Sequence, residues 1–226
     1  MYRKYLKRPL DFILSLLALI VLSPIMVVTA VLVRIKLGSP VLFKQDRPGL
    51  HEKIFTMYKF RTMTDQRDEN GKLLPDSERL TKFGKFLRST SLDELPSLVN
   101  IAIGNLSLVG PRPQLIRDMV FMTKEQRRRH DIRPGLTGLA QVNGRNNITW
   151  QRKFEYDLEY LDSGITFIGD VRIILQTVGK VLRKSDTVRD GTVSDMDFGD
   201  WLMLQGEVDK DKYDEKQEEA KVLLKM

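Results

Sequence analysis

Between Phe12 and Val33 the chain runs for 22 residues without a charge, and 18 of them are apolar. At about 1.5 Å of rise per residue, a helix of that length just covers a hydrocarbon core of roughly 30 Å. Lipid leaves backbone polar groups no outside partner, so such a segment must be a helix that satisfies its own hydrogen bonds. A cleaved leader is a poor reading: the run is long for one, and Val31-Leu32-Val33-Arg34 offers no small-residue cleavage site. A buried core helix would carry a polar stripe, and none is visible. Two details argue against a simple crossing. Pro24, at the middle of the run, cannot donate to the carbonyl four residues earlier, so Ser23-Pro24 is expected to break the helix, with the Ser23 hydroxyl re-satisfying a freed carbonyl. Both flanks are also basic, with Arg3, Lys4, Lys7 and Arg8 before the run and Arg34, Lys36 and Lys44 after it. Positive flanks favour the cytoplasmic side, so residues 1–36 read as a re-entrant anchor whose two ends share one face. One kinked transmembrane helix is the alternative.

Beyond the anchor, residues 37–200 read as a globular domain and 201–226 as a charged tail. The stretches 41–45 and 54–60 are β-prone and flank Arg47-Pro48-Gly49, which predicts a β-hairpin. Asp65 to Ser77 is charged and punctuated by Gly and Pro, hence a surface loop. Helical spacing recurs over 80–87, 98–103 and 115–129. Val171, Ile174, Leu175, Val178, Val181 and Leu182 form an amphipathic stripe beside Arg172, Lys180, Arg183 and Lys184, suited either to the core or to an anionic membrane surface. From Glu207 on, 7 acidic and 5 basic residues predict a solvated helix or a disordered, dispensable end.

The chain has no Cys and only two His, His51 and His130, which excludes disulfide scaffolds, thiolate metal sites and cysteine nucleophiles. Chemistry is left to carboxylates, hydroxyls, Arg and Lys. The net charge of +7 admits nucleic acid, an anionic surface or a phosphorylated substrate. No nucleic-acid-binding motif is present, and an anchored chain makes a nucleic-acid partner the poorest of the three. Lys59, Arg61, Arg88, Arg112, Arg133 and Arg145 instead punctuate turn-rich segments, where a guanidinium fork and close backbone approach suit phosphate. No P-loop or dinucleotide fingerprint occurs. In Thr90-Ser91-Leu92-Asp93-Glu94-Leu95-Pro96, the Ser91…Glu94 spacing fits a capping box. Both the structural and the functional reading place Asp93 within or just before a first helical turn, whose dipole would favour the ionised form. An ionised Asp93 can attack phosphorus, and with Glu94 it offers hard oxygen ligands to Mg²⁺.

KFRTM (59–63), RSTSLDELP (88–96), GNLSLVGPRP (104–113) and RPGLTGLAQVNGR (133–145), following a hairpin-like anchor, resemble the bacterial sugar transferases. More narrowly they resemble the small monotopic phosphoglycosyl transferases, the PglC-like enzymes. The resemblance covers about residues 1–190. It implies a mainly α fold with a small β-hairpin (α+β), a re-entrant helix broken at Ser23-Pro24, and interfacial amphipathic helices. The implied reaction moves a sugar-1-phosphate from a UDP-sugar to undecaprenyl phosphate and releases UMP at the bacterial inner membrane, with the catalytic domain facing the cytoplasm. Asp93 matches the nucleophile and Glu94 its partner, both able to hold Mg²⁺. Lys59, Arg88, Arg112 and Arg145 match phosphate- or nucleotide-binding positions, and Asp157 matches a further substrate-binding position. The compact architecture leans toward UDP-N,N′-diacetylbacillosamine and protein glycosylation. The family's usual Lys-Gly-Asp is here Ile103-Gly104-Asn105. The competing reading is an anchored scaffold that binds phosphorylated lipid or nucleotide without turnover.

Overall fold

The computed structural model describes residues 1–144, 148–183 and 196–225. Its first long element is α1, Lys7–Leu37, a helix of 31 residues with Pro24 inside it. The expected break at Ser23-Pro24 is therefore not a gap in the helix. Pro24 removes one donor, and the carbonyl this frees, that of Ile20, accepts from Ser23 Oγ at 2.8 Å. With that carbonyl satisfied locally, the helix continues through the proline.

The polar stripe missing from the linear sequence is present in three dimensions. Asp11, Ser15 and Thr29 are all buried on the face that also buries Val33 and Leu37. Ala18, Leu19 and Leu22 on the same face pack against Phe55, Met57, Leu98, Ile101 and Leu106. Farther along, Met26, Ala30, Val33 and Leu37 pack with Phe60 and Leu87. The opposite face exposes Phe12, Ile13, Leu17, Ile20, Val21 and Val28. At the N-terminal end Lys7 pairs with Asp170, Asp11 Oδ1 accepts from Leu108 N at 3.1 Å, and the Arg8 guanidinium donates to the carbonyls of Ile101 and Ala102 at 2.6 and 2.7 Å. The body thus lies alongside α1 over its whole length. The helix is amphipathic in an unusual sense: one face is protein-packed, and between Phe12 and Val33 the other is apolar apart from Ser23.

The β-hairpin forms as expected from β1 (Leu42–Pro48) and β2 (Ile54–Phe60), antiparallel with Leu42 opposite Phe60. The chain continues through α2 (Asp76–Arg79), α3 (Lys82–Ser89), α4 (Ser97–Ile103), β3 (Ser107–Val109), α5 (Ile116–Met119), α6 (Lys124–Arg127), β4 (Gly135–Thr137), α7 (Leu139–Val142), α8 (Trp150–Asp162) and α9 (Phe167–Arg183), and ends with α10 (Phe198–Gln205) and α11 (Lys210–Leu223). The fold is mainly helical with a small hairpin. The single helix expected over 115–129 is instead α5 and α6, because Thr123 and Gln126 form a capping box that starts a new helix. β3 and β4 add a parallel pair in which Gly135 and Gly138 press on Gly110: a Cβ on either would lie 2.1 Å from a Gly110 backbone atom.

The stripe on α9 divides. Of the stripe, Ile174 packs with Val109 and Tyr160 beside Ile173, a buried residue outside the expected stripe, whereas Leu175 and Val178 are exposed, as are Phe167 and Ile168 at the helix start. The side chains of Leu182 and Arg183, and Lys184, lie outside the described residues. The C-terminal segment is not a free tail. Phe198 and Leu202 are buried with Trp150 and Phe154, and Ala220 is buried against Ile116, Met119 and Val120. Most of α11 faces solvent, so its charge swamps the few apolar contacts in a linear reading.

Candidate active site

Alternation along β2 puts Lys59 on the same face as the buried Phe55 and Met57. The free edge of β2 is held by side chains of α4. Asn100 accepts from Tyr58 N at 3.0 Å and donates to the Thr56 carbonyl at 2.8 Å. Ser97 Oγ donates to the Tyr58 carbonyl at 2.7 Å. These three bonds fix Lys59 relative to the turn that precedes α4. In that turn Ser91 takes a left-handed conformation (φ 56, ψ 17), and Leu92–Glu94 form one 3₁₀ turn. Such a backbone costs a non-glycine residue about 1–2 kcal/mol. The capping box does not form: the Ser91 side chain makes no cap bond. Glu94 Oε1 instead accepts from Lys59 Nζ and Arg112 Nη2, both at 2.8 Å.

Arg88 reaches the site from α3, its Nε donating to Thr62 Oγ1 at 3.1 Å. Gly84 makes this approach possible, since a Cβ there would sit 1.8 Å from the Thr62 carbonyl oxygen. Asp93, Glu94, Lys59, Arg88 and Arg112 are therefore brought together from β2, α3, the 3₁₀ turn and the Gly-Pro-Arg-Pro loop. Asp93 and Glu94 are only 8% and 9% exposed. Burial, reinforced by the Glu94 charge, pushes the Asp93 carboxyl up to about 6 against the pull of Lys59, Arg88 and Arg112. This runs opposite to the helix-dipole expectation, because burial is the largest influence on the Asp93 carboxyl. Burial also lowers Lys59 and Arg88 from their ordinary values.

Other expected residues fall elsewhere. Asp157, on α8, is 2% exposed and pairs with Arg129 at 2.7 Å. Arg129 Nη2 also donates to the Arg112 carbonyl at 2.6 Å. Asp157 thus stands behind Arg112 rather than beside Asp93, and burial raises its carboxyl. Arg145 lies outside the described residues. Arg61 is buried in local bonds to the Ser39 and Met63 carbonyls. Arg133, with Arg8, caps the C-terminal end of α4, donating to the Gly104 carbonyl at 2.8 Å. Sequence reasoning missed Arg129, the buried member of Arg127-Arg128-Arg129, because a basic run reads as a solvated face. It also missed Arg47, whose Nη1 donates to the Pro113 carbonyl at 3.3 Å just beyond Arg112.

Among the described residues no group of three or more His, Asp or Glu side chains is placed to hold a metal ion. A divalent ion would therefore rest on Asp93 and Glu94 and complete its shell from phosphate and water, which is how Mg²⁺ shares a site with a substrate. The two adjacent buried carboxylates suit it: burial first, and then the Glu94 charge, raises Asp93, and a cation would offset both.

The bacterial sugar transferase family model matches residues 2–184. A Bacillus subtilis protein named as an uncharacterized sugar transferase, EpsL, is 54% identical over 177 residues, covering 78% of this chain and 87% of the relative. The UDP-glucose:undecaprenyl-phosphate glucose-1-phosphate transferase of Klebsiella pneumoniae is 41% identical over 77% of this chain. An Aeromonas hydrophila UDP-N-acetylgalactosamine-undecaprenyl-phosphate N-acetylgalactosaminephosphotransferase is 33% identical over 79%. The matched region spans only 39% and 44% of the last two. Because the family match takes in α1, the Asp93-Glu94 turn and the Arg112 loop alike, the chain belongs to the bacterial sugar transferases.

Proposed function

We propose that the protein transfers a sugar-1-phosphate from a UDP-sugar to undecaprenyl phosphate and releases UMP, through a covalent phosphosugar on Asp93. The observation that carries this reading is the buried Asp93-Glu94 pair ringed by Lys59, Arg88 and Arg112. A carboxylate oxygen of Asp93 attacks the phosphorus that bears the sugar, and the bond to UMP breaks with the bridging oxygen leaving on UMP. An oxygen of undecaprenyl phosphate then attacks the same phosphorus, the aspartyl–phosphate bond breaks, and the product is an undecaprenyl-diphosphate sugar with Asp93 restored. Lys59 and Arg112 hold Glu94, and with Arg88 they offset the negative charge of the diphosphate. Asp93 and Glu94 are the residues that would hold Mg²⁺, which when bound would supply further neutralisation of phosphate charge.

The transferases described above carry glucose and N-acetylgalactosamine in their names, a similar Salmonella typhimurium protein carries galactose, and none of these carries N,N′-diacetylbacillosamine. The donor is accordingly proposed as a UDP-sugar, without a sugar assigned. The membrane arrangement proposed is re-entrant: both ends of α1 on the cytoplasmic face of the inner membrane, its apolar face in lipid. Packing of the body along all of α1 supports this, because a crossing helix would carry charged partners such as Asp170 or the hairpin into lipid. The test is UMP release by the detergent-solubilised protein with undecaprenyl phosphate, Mg²⁺ and each of the four UDP-sugars. Release with at least one donor, lost in Asp93→Ala and with EDTA, is expected. Undiminished release by Asp93→Ala would overturn the reading.

A further inference from the structure

The family match ends at residue 184, yet the helices beyond it pack on the segment that follows Arg112. The link is Asp118, 2% exposed. Its Oδ2 accepts from Leu115 N at 3.2 Å, closing the turn after Arg112-Pro113-Gln114. Its Oδ1 accepts from Phe198 N, the first residue of α10, at 2.8 Å. Beside it, Arg117 pairs with Asp197 at 2.6 Å, and Ile116, Met119 and Val120 bury Ala220 of α11.

A second route reaches the same loop. Phe198 and Leu202 pack on Trp150 and Phe154 of α8, and the Phe154 ring lies 5.7 Å from the guanidinium of Arg129, which donates to the Arg112 carbonyl. Burying a carboxylate costs more than filling the same space with an apolar side chain. Asp118 is explained by the two N–H groups whose relative position it fixes, one in the Arg112 segment and one in the C-terminal pair. Burial raises this carboxyl to about 6 even against those two bonds.

We infer that α10 and α11 are a brace that positions the Arg112 segment for donor binding, with Asp118 as the positioning residue. The inference rests on the reading above in which Arg112 binds the donor diphosphate. Asp118→Asn keeps the side chain's shape but sets an amide donor against one of the two N–H groups. In the full-length protein it is expected to weaken UDP affinity and raise the donor KM, each about tenfold, while the melting temperature in the same detergent stays near that of the unmodified protein. Asp197→Asn, at a less buried position, should act in the same direction by about threefold and covers the case in which Asp118→Asn fails to fold. On an Arg112→Gln background each substitution should cost less than twofold further, because the brace acts through Arg112. Equal losses in both backgrounds, or no loss in either, would overturn the brace. Absent turnover in the unmodified protein would count against the transferase reading alone, since the UDP-affinity comparison still decides the brace.

Discussion

Asp93 and Glu94 are adjacent and alike in charge, but the fold treats them differently. Glu94 is neutralised directly by Lys59 and Arg112, whereas Asp93 is buried with its carboxyl raised to about 6. A raised carboxyl means that the folded state holds the proton more tightly than the unfolded chain does. Stability from this group is therefore present below the ordinary value of 3.8 and is lost as pH rises through about 6. Ionised Asp93 thus costs up to about 3 kcal/mol at pH 8. Asp93→Asn should abolish UMP release yet raise the melting temperature at pH 8 in EDTA, with little change at pH 4. A variant no more stable than the parent at pH 8 would show that the carboxylate is not strained in the fold. The pair was legible in sequence because two carboxylates between Ser-Leu and Leu-Pro stand out from a basic background. The partners of Asp157 were not: nothing local distinguishes Arg129 from its neighbours, and burial is decided by α8 packing on it.

At the level of elements, what could be read depended on whether a pattern repeated. The hairpin was recognisable because two seven-residue strands of β-prone residues flank a Pro-Gly turn, whereas the three-residue strands β3 and β4 are too short to carry such a signal. On α1, three short polar side chains far apart in sequence join one buried stripe only when wound at 3.6 residues per turn. The C-terminal helices were obscured because α11 spends most of its residues on solvent. A tight approach between elements is that of α3 to Thr62, two residues past the end of β2. Gly84→Ala would drive a methyl into the Thr62 carbonyl, which backbone on both sides prevents from yielding. The expected cost is about 1–3 kcal/mol of stability together with loss of donor binding through Arg88. Melting temperature and UDP affinity measure the two effects, and wild-type values for both would contradict the packing described.

Viewed whole, the molecule is a body laid along a helix whose far face is apolar, with exposed Leu175 and Val178 on α9 adding apolar surface. Membrane association follows from that face, and the side on which the ends emerge can be measured directly. The chain has no native Cys, so Lys4→Cys and Arg34→Cys each introduce a unique thiol. In spheroplasts both should resist an impermeant maleimide and react only after lysis, whereas labelling of Lys4→Cys in intact spheroplasts would mean a true crossing. In the proposed reaction Asp93 holds the phosphosugar between the encounter with a soluble nucleotide sugar and the encounter with a lipid phosphate. Mass spectrometry of the protein quenched after incubation with a UDP-sugar, without undecaprenyl phosphate, tests this most directly. The expected result is a phosphosugar mass on the peptide containing Asp93, removed when undecaprenyl phosphate is added. An adduct on another residue, or UMP release with no adduct at all, would contradict it.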